Sequence, residues 1–159
     1  MQADIEAIRF DPGDGTKVEL PVKLKVHDSI FVPLAKWAML LTGNYRCIRK
    51  EEMISIKDAV HGNLDQSRSV YNWVRAVCEA IGAAHDDMVP FQKYAAAANG
   101  LTKPSSAARA LLAGAPNIER ADCIVRTIAA QKGMKNEIVD QTVILVESWL
   151  ERNRAKAKG

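Results

Sequence analysis

Apolar and polar positions change period once along the chain. Val18, Leu20, Val22, Leu24 and Val26 alternate strictly with Glu19, Pro21, Lys23 and Lys25. Period two predicts a strand with one buried and one wet face. Pro21 lacks an amide donor, so the strand should lie at a sheet edge or bend there. The DPGDG run at 11–15 is a dense turn signal. Residues 1–27 therefore read as a β-hairpin. A lone hairpin is marginal in water, so this one must rest on the rest of the body, pair with a second subunit, or belong to a larger sheet.

From residue 28 the period becomes helical. His27-Asp28-Ser29 offers a cap for a helix over 30–41, with Pro33 tolerable only in its first turn and Thr42-Gly43-Asn44 closing it. SIKDAVHG, 55–62, predicts a short helix ended by Gly62. The clearest helix covers 65–81, where Val70, Trp73, Val74, Val77, Cys78 and Ile81 form one stripe before Gly82. An alanine-rich helix follows at 89–98, with Pro90 as its first helical residue. Pro104 opens another, to about residue 113, and an Ala-Gly-Ala-Pro corner turns the chain. Asn117 is the expected cap of the next helix, carrying Ile118, Ala121, Ile124, Val125 and Ile128 and stopped by Gly133. Asn136 caps the last, whose face is Val139, Thr142, Val143, Val146, Trp149 and Leu150. The expectation is a mainly α protein, with six or seven helices over 28–153 and a disordered basic tail at 154–159.

Composition narrows the class. The 159 residues are enough for one domain with a real core, and 48% hydrophobic with 26% charged is ordinary for a globular protein. Of the net charge of +3, Arg152, Arg154, Lys156 and Lys158 crowd the last eight positions. The rest is near neutral, so no nucleic-acid partner is expected. Cys47, Cys78 and Cys123 are far apart, odd in number and away from His27, His61 and His85. Neither a zinc site nor a disulfide frame follows, and no metal is expected. Cys78 and Cys123 fall on apolar stripes, where free thiols act as small hydrophobes. The acidic, mixed N-terminus is unlike a signal peptide, and no apolar run approaches the ~20 residues that span a bilayer. A cytoplasmic location and no membrane partner are expected.

Chemistry is sparse. No GxGxxG or GxxxxGK occurs, nor GxSxG or HExxH, which argues against a nucleotide cradle, a hydrolase and a metalloenzyme. Lys36 stands out within FVPLAKWAMLL. A lysine there either snorkels to the surface or sits at a cleft with a lowered pKa suited to proton transfer. Ser105 and Ser106, after Pro104, are ordinary first-turn residues whose hydroxyls can satisfy free backbone donors. Trp73 and Trp149 read as core.

Three stretches together resemble the C-terminal domain of the ketopantoate reductase family. Ala35-Lys36-Trp37-Ala38 looks like the family's opening helix motif, Asn44 falls where the family has a substrate-contacting asparagine, and SIKDAVHG resembles its linking segment. Ser105 fits the serine that contacts the substrate carboxylate. The resemblance implies a helical bundle of the 6-phosphogluconate dehydrogenase C-terminal-domain type that binds substrate and forms a homodimer. It also implies reduction of a small 2-keto acid with NADPH, with Lys36 as proton donor. Leu40 stands where the family usually has a second asparagine, and Thr102 replaces another. Asn117 occupies the place of a glutamate that contacts a substrate hydroxyl, with Glu119 the nearest acid. Family members hold the cofactor on a Rossmann domain that precedes this region. Residues 4–26 are then expected to be the last strands of such a domain, the chain a part of a longer enzyme, and the chain alone inactive and without NADPH.

The alternative is a non-enzymatic helical module that dimerises or binds a partner protein, with the edge strand at 16–26 as one means. Lys36 discriminates: an ammonium pointing to solvent outside any cleft favours the module.

Overall fold

The computed structural model describes residues 2–19 and 29–157. The chain divides after Ile30 into two compact units, each described by itself. In the first, α1 (Gln2–Ala7) precedes an antiparallel pair, β1 (Arg9–Phe10) and β2 (Val18–Glu19), in register Arg9 to Glu19 and Phe10 to Val18. The first arm expected of the hairpin is thus largely helical. Ala3, Glu6 and Ala7 are good helix formers, and Asp4 in the first turn suits the positive end of the helix. The turn is built by Asp11 and Asp14, which accept the amides of Gly13 and Thr16 at 2.8 and 2.9 Å. Val18, expected inward, is exposed, as is Phe10. Residues 20–28, which hold the rest of the alternating run, Pro21 and the expected His27-Asp28 cap, lie outside the described residues.

The second unit is helical: α2 (Ala35–Met39), α3 (Ile56–His61), α4 (Leu64–Ala80), α5 (Phe91–Ala98), α6 (Ser106–Leu112), α7 (Ala121–Gln131) and α8 (Glu137–Lys156). Helix α4 is its axis. Val70, Tyr71, Val74, Val77 and Cys78 are all wholly buried, and Ala38 and Leu41, Val60, Val125, and Val146 and Leu150 close over them. Tyr71 stacks on Tyr94 and meets Phe91 edge-on, both at 5.4 Å between centroids. Caps fall where side chains can supply them. Ser55, Asn63, Ser105 and Asn136 accept the first free amides of α3, α4, α6 and α8. Gly82 and Gly133, at φ +114° and +71°, terminate α4 and α7 as expected.

Four expectations change. Thr42-Gly43-Asn44 does not close a helix. A 3₁₀ turn (Val32–Leu34), α2, a π turn (Leu40–Asn44) and a second 3₁₀ turn (Tyr45–Cys47) run on as one helical segment. Gly43 is there for room. A Cβ at this position would overlap the Tyr94 hydroxyl and lie 3.0 and 3.2 Å from Ile56 and Val60 methyls. Helix α7 starts at Ala121 rather than behind Asn117, and Ile124 is half-exposed. Pro90 caps α5 in extended conformation instead of entering it. The tail is not frayed at 154: α8 continues to Lys156 because Asn153 is buried and bonded. Among the described residues no helix is long and apolar enough to cross a membrane.

Candidate functional site

The π turn sets the site. Tyr94 Oη donates to the Met39 carbonyl at 3.1 Å, entering the ladder where Gly43 leaves space. A side chain inserted there loosens the α pitch, and π turns recur at functional positions. The turn ends at half-buried Asn44, whose carbonyl accepts Ser105 Oγ at 2.7 Å. The Ser105 hydroxyl in turn accepts the Ala108 amide at 3.1 Å. Helix α6 is thereby fixed against the π turn at its first residue.

Tyr45, the next residue, fixes the facing wall. Its hydroxyl donates to the Glu119 carbonyl at 2.7 Å and accepts the Ala121 amide at 3.0 Å. This explains why α7 begins at Ala121: the tyrosine, 76 residues away, takes the place of a local cap. Burial, with Asp122 near, pushes the Tyr45 phenol up to about 12, so it is a permanent donor. The last turn of α8 holds the 113–116 corner from outside. Asn153 Nδ2 donates to the carbonyls of Leu111 and Ala115 at 2.8 and 3.0 Å, and Arg154 Nε donates to that of Pro116 at 3.0 Å. Arg120 bridges Asp122 and Glu147, and Glu147 also accepts from Arg154.

Two cavities open between these elements and share Asn44 and Ser106 in their walls. One, of about 330 Å³, is lined by Leu40, Asn44, Tyr45, Ser106, Asn117 and Glu119 among others. The other, of about 470 Å³, is lined by Asn44, Thr102, Lys103, Ser105, Ser106 and Arg109 among others. The first offers amides, a hydroxyl and one carboxylate. The second offers two cations and no acid. Together they suit a small molecule with an anionic end and a hydroxylated end.

Of the residues expected from sequence, Asn44, Ser105, Asn117 and Glu119 therefore stand around this pair of cavities. Asn117 and Glu119 line the same wall, so both face the cleft whichever register is taken. Ser105 is buried with its hydroxyl fully engaged, which makes it a positioning residue. Lys36 is not brought in. It is exposed and belongs to neither wall, although it stands one turn before Leu40 on the same helix face. Sequence reasoning missed Tyr45, Ser106, Lys103 and Arg109. Only Ser106 carried a signal, as the second serine of the pair.

The residues present do not fit a dinucleotide. Helices α2 to α8 open from Leu34, Ser55, Asn63, Pro90, Ser105, Arg120 and Asn136, and none from the glycine-rich turn that lets a pyrophosphate approach a helix end. Among the described residues no three His, Cys, Asp or Glu side chains gather to hold a metal.

Comparison with protein-family models, with curated proteins and with solved structures finds no match to this chain.

Proposed function

We propose that the helical unit is the substrate-binding half of a ketopantoate-reductase-like protein, a bundle of the 6-phosphogluconate dehydrogenase C-terminal-domain type, whose cleft takes a small hydroxylated 2-keto acid. The observation that supports it is the polarity of the paired cavities. Lys103 and Arg109 lie at one end, Asn117 and Glu119 at the other, and Asn44 and Ser106 belong to both. A carboxylate gains charge-assisted hydrogen bonds from the cationic end, and a hydroxyl can donate to Glu119. A leucine side chain cannot replace an amide that reads a carbonyl, so Leu40 favours a substrate other than ketopantoate itself. NADPH would be supplied from a separate cofactor-binding domain.

Titration of the chain with ketopantoate and with non-hydroxylated 2-keto acids, followed by amide NMR, tests this. Shifts at Asn44, Ser106 and Glu119 are expected, with binding weakened about tenfold or more in Arg109→Gln. Absence of shifts at millimolar ligand would sink the reading.

A second reading is a non-enzymatic module that forms a homodimer or binds a partner protein. The exposure of Lys36 outside both cavity walls favours it. It predicts a stable dimer by sedimentation whose formation is indifferent to 2-keto acids and to Arg109→Gln.

A further inference from the structure

Elsewhere in the second unit lies a buried cation with no anion. Arg46, 6% exposed, follows the π turn. Its Nη1 donates to the Thr42 carbonyl at 3.2 Å and to Ser67 Oγ at 2.7 Å, and its Nη2 donates to Gln66 Oε1. All three acceptors are neutral. Arginine carries five N–H donors, so two remain free, Nε–H among them. Buried charges are ordinarily paired, since an isolated one costs several kcal/mol. Burial pushes the Arg46 guanidinium down from its ordinary value, and a second cation, Arg49, adds to that push. Arg49 is exposed, and no ion pair among the described residues includes either arginine.

Beside the two lies a cavity of about 120 Å³. Arg46, Arg49, Gln66, Gln141 and Thr142 supply its polar wall, and the remaining lining is aliphatic, without a carboxylate. Glu51 and Glu52, in the turn that follows, are exposed and stand outside that wall. One water needs roughly 10–15 Å³ of such space, so the cavity has room for one tetrahedral oxyanion. Ser67 and Gln66 hold the guanidinium from the α4 side, which pre-organises it at no further entropic cost on binding.

We propose that the Arg46–Arg49 cavity is an oxyanion site that takes a single phosphate or sulfate group, separate from the cleft at Asn44. Arg46 supplies its free donors from below. Arg49 closes from solvent as the second cation, and the Gln141 amide is the remaining donor in reach of the wall. The group arrives either as the free ion or as the terminal phosphate of a monoester whose body stays outside.

The test is thermal unfolding of the full chain in millimolar inorganic phosphate, in sulfate and in glycerol 3-phosphate, against sodium chloride at matched ionic strength. Wild type should gain melting temperature with saturation, as binding to the folded state requires. Arg49→Gln, an exposed change that leaves the fold intact, should bind about tenfold more weakly. Arg46→Lys, which keeps the charge and loses the fork, should weaken binding as well. Saturation by the inorganic ions alone identifies a free-ion site, and tighter binding of glycerol 3-phosphate identifies a monoester site. A phosphate response equal to chloride, or equal in wild type and Arg49→Gln, overturns the proposal, because general salting-out would then account for it.

Discussion

The Ser105 hydroxyl donates to the Asn44 carbonyl at 2.7 Å while accepting the Ala108 amide at 3.1 Å, so one side chain caps α6 and joins it to the π turn. Ser105→Ala loses the cap, worth about 1 kcal/mol, and the bond to the Asn44 carbonyl, worth about 0.5–1.5 kcal/mol. A destabilisation of about 1.5–2.5 kcal/mol in urea unfolding is expected on those grounds, against less than about 0.5 kcal/mol for the exposed neighbour Ser106→Ala. Equal effects of the two changes would contradict the assignment of Ser105 as the joining residue.

Tyr45 holds the Glu119 wall as Ser105 holds α6. Tyr45→Phe keeps the ring and removes the bridge between the Glu119 carbonyl and the Ala121 amide. The expected cost is about 1–3 kcal/mol. Hydrogen exchange should report it locally: the Ala121 amide, protected in wild type, should exchange faster while amides in the middle of α4 do not. Uniform acceleration would mean that the hydroxyl supports the whole unit rather than this wall.

Gly43 and Tyr94 should be strongly coupled. Gly43→Ala places a methyl on the Tyr94 hydroxyl and close to Ile56 and Val60, and overpacking of this kind costs about 1–3 kcal/mol. Tyr94→Phe removes the nearest obstacle. The double variant should therefore be less destabilised than the sum of the two single ones, by about 0.5–3 kcal/mol in a double-mutant cycle. Strict additivity would show that the close approach is not what demands glycine there.

Alkali should act through the phenols. Tyr45, Tyr71 and Tyr94 are the only tyrosines of the chain and all are buried. Burial pushes Tyr45 and Tyr71 up to about 12 and Tyr94 likewise upward. The folded protein holds protons that the unfolded chain releases near 10.0. This contribution to stability is therefore fully present below pH 10.0 and is lost as pH rises through 10.0 towards about 12. The ultraviolet tyrosinate band should stay flat until the helical circular dichroism collapses, and then rise in one step for all three. A phenol ionising near pH 10.0 in the folded chain would refute this.

Where local chemistry decides, the chain could be read directly. The Val70–Cys78 stripe, the Asn136 cap and the stops at Gly82 and Gly133 need only a few neighbouring residues, and each stands where the pattern placed it. Distant partners decided the remainder. Gly43 looked like a terminator because the Tyr94 hydroxyl that it accommodates lies 51 positions further along the sequence. Asn117 looked like a cap because the Tyr45 hydroxyl that starts α7 is invisible locally. Residues 154–156 looked like a loose tail because the corner that Asn153 and Arg154 grip is built some 40 positions earlier. The cavity lining divides differently. Asn44, Ser105, Asn117 and Glu119, which the family resemblance singles out, line the two cavities, whereas the exposure of Lys36 and the presence of Lys103 and Arg109 depend on packing.

A π turn is an α-helix carrying one residue too many. The wider i→i+5 loop absorbs that residue, so the helical segment beyond it keeps the phase it would have with one residue fewer. Removing a residue from 40–44 would restore the ordinary pitch and close the gap that the Tyr94 hydroxyl enters beside Gly43, while Tyr45 and Arg46 would still face Glu119 and Ser67. The surplus residue thus makes room for a side chain from α5 without turning the cleft and the Arg46 pocket away from their partners.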